Sequence, residues 1–226
     1  MSEHAVRPHL PHWHRSNRGE HRAPVVIVVM IVIFLQYALP DELAMGIQHP
    51  ICITEALLAI VLLALSPKRI NKHHMPTRIL GLSLTTIMTI SNTASAALLI
   101  GFLINGDAKD PNHLLLSGAS IWLTNIIIFS LWFWDLDRGG PGARAEAMNQ
   151  HPDFMFPQMS DPGYAPEHWH PNFFDYLYTS FTNASAFSPT DVMPLTRWAK
   201  MLMMVQSLTS LLTVGLVVAR AVNILH

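Results

Sequence analysis

The densest group of side chains that could bind an ion lies between residues 178 and 194. This stretch reads Tyr-Thr-Ser-Phe-Thr-Asn-Ala-Ser-Ala-Phe-Ser-Pro-Thr-Asp-Val-Met-Pro, so hydroxyl groups are frequent and a carboxylate lies near its end. Hydroxyl and carbonyl oxygens can replace the water around a cation, and carboxylates favour cations over anions. We expect ligands from this stretch and a cation preference set by Asp191. We call the residues predicted to surround the ion filter-like residues. They are Thr182, Ser185, Ala186, Phe187, Ser188, Pro189, Thr190 and Asp191.

A stripe of polar residues follows on the next apolar segment. Gln206, Ser210 and Thr213, continued by Val217 and Arg220, are spaced by alternating steps of four and three, which places them on one face of an α-helix. A water-lined path requires a polar face of this kind, and we predict that Gln206, Ser210 and Thr213 line a pore. A helix interface would produce the same pattern, because small polar residues also join membrane helices.

Membrane helices must position these residues. Half of the 226 residues are apolar, 13% are charged and the mean hydropathy is +0.30, which is typical of a membrane-embedded chain. Lipid tolerates non-helical backbone only where protein or a watery cavity surrounds it. We therefore predict an all-α membrane protein with about five transmembrane helices and a re-entrant segment before the last. The apolar stretches run from about 24 to 39, 51 to 66, 79 to 104, 114 to 134 and 195 to 225.

Four parts of the chain differ in composition. Residues 1–23 form a His- and Arg-rich tail, 24–134 a four-helix transmembrane region, 135–171 a Pro- and Gly-rich loop or cap, and 172–226 the re-entrant segment with the last transmembrane helix. A cleavable signal peptide is the competing interpretation of the first apolar stretch, although no small-residue cleavage site follows Gln36. Aromatic residues in the third part favour an ordered cap over a linker.

The basic residues predict the orientation. Of the fourteen arginines and lysines, all but Lys109 and Arg220 fall in the tail, in the segments after the second and fourth predicted helices, or at the start of the last helix. Because positively charged segments stay in the cytoplasm, we place the amino terminus on the cytoplasmic side of a bacterial inner membrane.

Other residue types offer weaker sites. The histidine-rich tail, which includes His12 and His14, lacks a fixed scaffold, so we predict no metal site and interpret the tail as a basic segment on anionic lipid. Cys52 is the single cysteine, which excludes an intrachain disulfide. We interpret Glu55, the one carboxylate within a predicted span, as a complement to its helix amino terminus.

No phosphate-binding glycine loop, HExxH motif or nucleophile elbow occurs. We predict no enzyme activity, no cofactor and no nucleic-acid partner.

The carboxyl-terminal third resembles the pore module of potassium channels, in which a re-entrant pore helix and filter loop lie between two membrane helices. The family's filter reads Thr-Val-Gly-Tyr-Gly-Asp with a proline shortly after it, and here Ala186-Phe-Ser-Pro-Thr-Asp191 and Pro194 stand in its place. Ser188 and Thr190 replace both glycines and Pro189 replaces the tyrosine, so the resemblance implies a pore without strong potassium preference. The whole chain also looks like a bacterial family of integral membrane proteins sharing the Phe-Ser-Pro-Thr-Asp segment, which implies no activity.

Two functions compete on these grounds. The first is weakly selective cation conduction or binding in a homo-oligomer, since one such module supplies only a fraction of a pore wall. The alternative is a non-conducting structural or accessory membrane subunit, in which the broken segment is a packing wedge and the stripe is a helix interface. The expected partners are membrane lipid, cations of unspecified type and further copies of the chain.

Overall fold

Helices dominate the computed structural model of the chain, which describes residues 12–44, 46–65, 68–105, 110–149, 151–161, 163, 166, 168–185 and 191–224. The α-helices are α1 (Ala23–Tyr37), α2 (Gln48–Leu65), α3 (Met75–Asn105), α4 (Pro111–Leu136), α5 (Pro141–Ala145), α6 (Pro157–Ser160), α7 (Phe173–Ser185) and α8 (Arg197–Ile224). Short 3-10 helices cover His12–His14, Asp41–Leu43 and Asp137–Gly139.

Four helices, α2, α3, α4 and α8, are long and apolar enough to cross a membrane. They coincide with four of the five predicted apolar stretches. The first stretch forms α1, which is apolar but has only 15 residues. At 1.5 Å per residue such a helix covers about 22 Å, less than the roughly 30 Å of a hydrocarbon core. The chain is thus a helical protein of membrane character.

Local sequence sets where α4 begins and ends. The Asp110 carboxylate accepts a hydrogen bond from the backbone nitrogen of Asn112 at 2.9 Å and so caps the first turn. At the other end, Arg138, Gly139 and Gly140 have φ angles of 52°, 83° and 94°. A Cβ added at Gly140 would lie 2.9 Å from the Asp135 carbonyl oxygen. Glycine is therefore required where the chain turns away from α4.

Two small antiparallel strand pairs mark one end of the bundle, which we call the cap end. One pair joins β1 (Glu20–His21) to β2 (Arg69–Ile70), and the other joins β3 (Phe154–Met155) to β4 (Met193–Pro194). Residues 12–22, 68–74, 137–149 and 151–161 gather there. Helix α4 occupies the centre and packs against α1, α3, α7 and α8.

Candidate functional site

Helix α7 lies between α4 and α8 and is held there by buried hydrogen bonds. The Ser180 hydroxyl donates to the Ile126 carbonyl of α4 at 2.6 Å. From the other side, Gln206 Nε2 of α8 donates to the carbonyl oxygen of Ser180 at 2.9 Å and to its hydroxyl at 2.6 Å. Ser180 and Gln206 are both fully buried. One residue of α7 thus connects both neighbouring helices.

A second group of contacts follows one turn further along α7. Asn183 Nδ2 donates to the Met203 carbonyl at 2.9 Å and to Gln206 Oε1 at 2.7 Å. The Ser210 hydroxyl donates to the Ala184 carbonyl at 2.6 Å, which satisfies a carbonyl near the end of α7. The α7–α8 interface is therefore polar over more than one turn.

The stripe predicted to line a pore lies in this interface. Gln206, Ser210 and Thr213 are each exposed by 1% or less. Ser210 also accepts a hydrogen bond from Trp122 Nε1 of α4 at 2.7 Å, and the Thr213 hydroxyl donates to its own helix. Within one copy of the chain, the stripe thus contacts the protein's own helices rather than an open face.

The filter-like residues fall into three groups. Thr182 and Ser185 lie in the last turn of α7, where their hydroxyls donate to α7 carbonyl oxygens at 3.0 Å. Asp191 is exposed, one residue before the buried Val192. The other filter-like residues, Ala186, Phe187, Ser188, Pro189 and Thr190, lie outside the described residues.

Both ends of the segment from α7 to β4 contact the cap end. Near the start of α7, the Tyr176 hydroxyl donates to Asp137 Oδ2 at 2.6 Å. Burial raises the pKa of Tyr176 well above its ordinary value, so the phenol keeps the proton that it donates. At the other end, β4 pairs with β3, and the next residue, Leu195, donates its backbone N–H to the Asp153 carbonyl at 2.8 Å.

Asp137 organises this anchorage. Its Oδ1 accepts from the backbone nitrogens of Asp153 at 2.9 Å and Phe154 at 3.3 Å, in addition to the Tyr176 bond at Oδ2. Asp153 in turn accepts from Trp198 Nε1 at 3.0 Å at the start of α8. One buried carboxylate therefore links the end of α4, the β3 strand and α7.

A partly buried ion pair ties the amino-terminal segment to the cap end, with Arg144 3% and Glu20 16% exposed. Arg144 donates to Glu20 Oε1 at 2.8 Å and to the carbonyl oxygens of Trp134 at 2.6 Å and Asp137 at 3.0 Å. Glu20 Oε2 accepts from Trp134 Nε1 at 2.7 Å. Sequence reasoning missed this site. The available signal was the closely spaced Trp134, Asp137 and Arg144 after the fourth apolar stretch.

A second buried polar contact joins α1 and α2. Glu55 is fully buried, and Gln36 of α1 is 2% exposed. With its amide nitrogen turned toward Glu55, Gln36 donates to the two carboxyl oxygens at 2.9 and 3.1 Å. Our interpretation of Glu55 as a helix-terminus complement is therefore incomplete, because its neighbour is a side chain of the adjacent helix. Carboxyl groups in membrane helices normally find such a partner.

Comparisons with protein-family models, with curated proteins and with solved structures found no match to this chain. Among the described residues, no three histidine, cysteine, aspartate or glutamate side chains are grouped to hold a metal ion.

Proposed function

We propose that the chain is a pore-like protein of the bacterial inner membrane, in which residues 173–194 form a re-entrant hairpin that binds or conducts cations with weak selectivity. One relationship carries this proposal. Tyr176 and β4 both contact the cap end, whereas Ala184 between them contacts Ser210. Ser210 lies about 20 Å along α8 from Arg197, at 1.5 Å per residue. A pore loop has this layout, because it enters the helix bundle from one end and returns to the same end.

Electrostatics support a cation rather than an anion in this hairpin. The carboxyl-terminal end of α7 carries a partial negative charge from its last carbonyl groups. Asp191, two residues before β4, adds a formal negative charge and is exposed. Because Thr182 is buried and Ser185 half-buried, with both hydroxyls turned toward α7 carbonyl oxygens, we assign the ligand role to backbone oxygens and to the side chains of Ser188, Thr190 and Asp191.

The polar stripe takes a different role in this proposal. Gln206, Ser210 and Thr213 are buried against α4 and α7. They position the pore helix, and any path for ions runs between copies of the chain, where residues 186–191 of several copies meet. The proposal therefore requires a homo-oligomer. The excess of basic residues at the cap end supports a cytoplasmic amino terminus.

The burial of the stripe also favours the second candidate, a non-conducting accessory subunit. Hydrogen bonds such as Ser210 to Ala184 and Asn183 to Gln206 are what a packing wedge would make. In this candidate the segment after α7 closes a helix interface, and the exposed apolar faces of α8 contact lipid or a partner protein.

Cation flux into vesicles separates the two candidates. The purified protein, reconstituted into liposomes, should pass monovalent cations, and Asp191→Asn should reduce the flux while leaving oligomer size and melting temperature unchanged. Asp161→Asn is the matched control, since it makes the same change at an exposed carboxylate of the cap end. Absence of flux from a folded oligomer, together with unfolding of the Asp191→Asn variant, would support the accessory subunit.

A further inference from the structure

A cavity of about 460 Å³ lies between α1, α2, α3 and α4 at the cap end. Among the described residues that line it, none belongs to α7 or α8, so the cavity is separate from the proposed pore segment. Its size is within the roughly 300–1,000 Å³ of ligand pockets. The deep walls are apolar side chains from all four helices, among them Val25, Val29, Leu62, Leu84 and Leu131.

The mouth of the cavity is strongly basic. Five cationic side chains line the cavity, namely Arg22, Lys68, Arg69, Lys72 and Arg78, and the exposed lysines open to solvent. Asp135 is the single carboxylate among its described lining residues. With the two lining histidines neutral, four positive charges remain uncompensated by the lining itself. A mouth of this kind attracts a negatively charged group.

Three of the cations are placed to receive such a group. The side chains of Lys68 and Lys72 are exposed. Arg78 Nε is buried and has no hydrogen-bond partner. A Cβ added at Gly140 would lie 3.9 Å from Arg78 Nε, so this guanidinium lies beside backbone that carries no side chain. Arg69, by contrast, donates to the Gly19 carbonyl at 2.9 Å.

We propose that this cavity binds an anionic phospholipid, with the phosphate at the basic mouth and part of an acyl chain against the apolar walls. A free anion would leave the apolar walls, such as Val29 and Leu84, without a contact, and a neutral lipid would leave the cations without a negative partner. Basic pockets at the ends of membrane helices are suited to anionic head groups. Burial of the chain supplies the remaining affinity. This proposal stands whether or not the protein conducts ions.

Asp135 gives the proposed site a distinctive property. Its carboxylate lies in the wall of the cavity, and a Cβ added at Gly81 would lie 3.6 Å from Asp135 Oδ2. A phosphate that enters beyond the mouth meets this negative group and is repelled. Asp135→Asn should therefore increase phospholipid affinity, opposite to the effect of removing a cation.

Native mass spectrometry of the full-length protein in detergent tests the proposal, with phosphatidylglycerol and phosphatidylcholine of identical acyl chains as probes. Phosphatidylglycerol should bind more tightly. The double variant Lys68→Gln, Lys72→Gln should weaken that binding roughly twenty-five-fold, because each cation near an anionic lipid contributes roughly fivefold. The matched control, Arg197→Gln with Lys200→Gln, removes the same charge outside the cavity and should leave most of the affinity.

A second pair of variants tests the apolar walls. Ala59 lines the cavity, and Ile60, the next residue of α2, is 62% exposed. Ala59→Phe should fill the space for the acyl chain and reduce phosphatidylglycerol binding, whereas Ile60→Phe should not. Unchanged melting temperatures would show that each variant remains folded.

Three outcomes would overturn the proposal. Equal binding of the two lipids would show that the charges of the mouth play no part. Equal losses in the Lys68/Lys72 and Arg197/Lys200 variants would indicate general attraction to a basic surface. Inorganic phosphate that binds as tightly as phosphatidylglycerol, with no effect of Ala59→Phe, would identify a site for free anions instead.

Discussion

Gln206 donates hydrogen bonds to both the carbonyl oxygen and the hydroxyl of Ser180, at 2.9 and 2.6 Å, and so fixes α8 against α7. Its own Oε1 accepts from Asn183 at 2.7 Å. All of these side-chain hydrogen bonds of Gln206 are made to α7, within one copy of the chain. A residue bound in this way serves as a support for α7, and the strength of that support can be measured.

Loss of the Gln206 carboxamide should destabilise the fold. Gln206→Leu removes three contacts to α7 while filling a similar volume, and we expect the free energy of unfolding to fall by about 1–2 kcal/mol. Thermal unfolding in detergent measures this. Thr209→Val on the same helix is the control, since its hydroxyl donates to the Val205 carbonyl of α8 itself. Equal effects of the two substitutions would show that the α7 contacts contribute little.

The sequence predicts the helices better than it predicts their contacts. Helices α3 and α8 follow from apolar stretches of sufficient length, and the spacing of Gln206 and Ser210 correctly puts them on one helix face. What that face contacts could not be derived, because a pore lining and a helix interface both place polar residues at this spacing. The Glu20–Arg144 pair was out of reach for another reason, since its members are 124 residues apart and belong to no local pattern.

The Arg144–Glu20 ion pair should hold the amino-terminal segment on the cap end. Arg144→Met leaves the partly buried Glu20 carboxylate with one indole donor, Trp134, and removes two donors from helix-end carbonyls. Breaking a fully buried pair costs about 3–5 kcal/mol, and we expect a smaller loss here because Glu20 is 16% exposed. We expect faster proteolysis near residues 15–22. Mass spectrometry of the fragments measures the cleavage rate at these residues. Lys200→Met, at an exposed cation, is the control and should cleave at the wild-type rate.

His14 should make this docking sensitive to acid. Burial lowers the pKa of His14 below its ordinary value of 6.5, and the charges of Arg138 and His151 add to the effect. A base with a lowered folded pKa stabilises the docked state fully above about 6.5, and this stability is lost as the pH falls toward the folded pKa. The protection factors of residues 12–22, which compare amide exchange with its intrinsic rate at each pH, should fall over that range.

The His14→Phe variant is the direct control for the acid response. Phenylalanine keeps an aromatic ring against Trp13, whose centroid lies 3.8 Å from that of His14, but it cannot be protonated. The protection factors of residues 12–22 in this variant should not depend on pH below about 6.5. An unchanged acid response would assign the effect to another group, with His151 the next to substitute.

The proposed orientation predicts which end of the bundle is accessible from outside the cell. Met148 is 58% exposed at the cap end, and Glu42 is exposed at the opposite end. In intact cells, a membrane-impermeant maleimide should label Glu42→Cys and leave Met148→Cys unlabelled until the membrane is opened. The native Cys52 is buried and provides a low background. The reverse labelling pattern would invert the orientation and match that of a potassium channel.

The residues that stand where a potassium-channel filter has its glycines and tyrosine predict the ion selectivity of the proposed pore. Because proline fixes φ near −65°, we expect no alternating carbonyl geometry of a narrow dehydrating filter at Pro189. Ions should therefore pass partly hydrated, along the side chains of Ser188 and Thr190, and the reversal potential between potassium and sodium solutions should lie close to zero. Ser188→Ala with Thr190→Val should alter the current, whereas Thr209→Val, outside the segment, should not. A strong preference for potassium would contradict this account of the turn while leaving the pore itself intact.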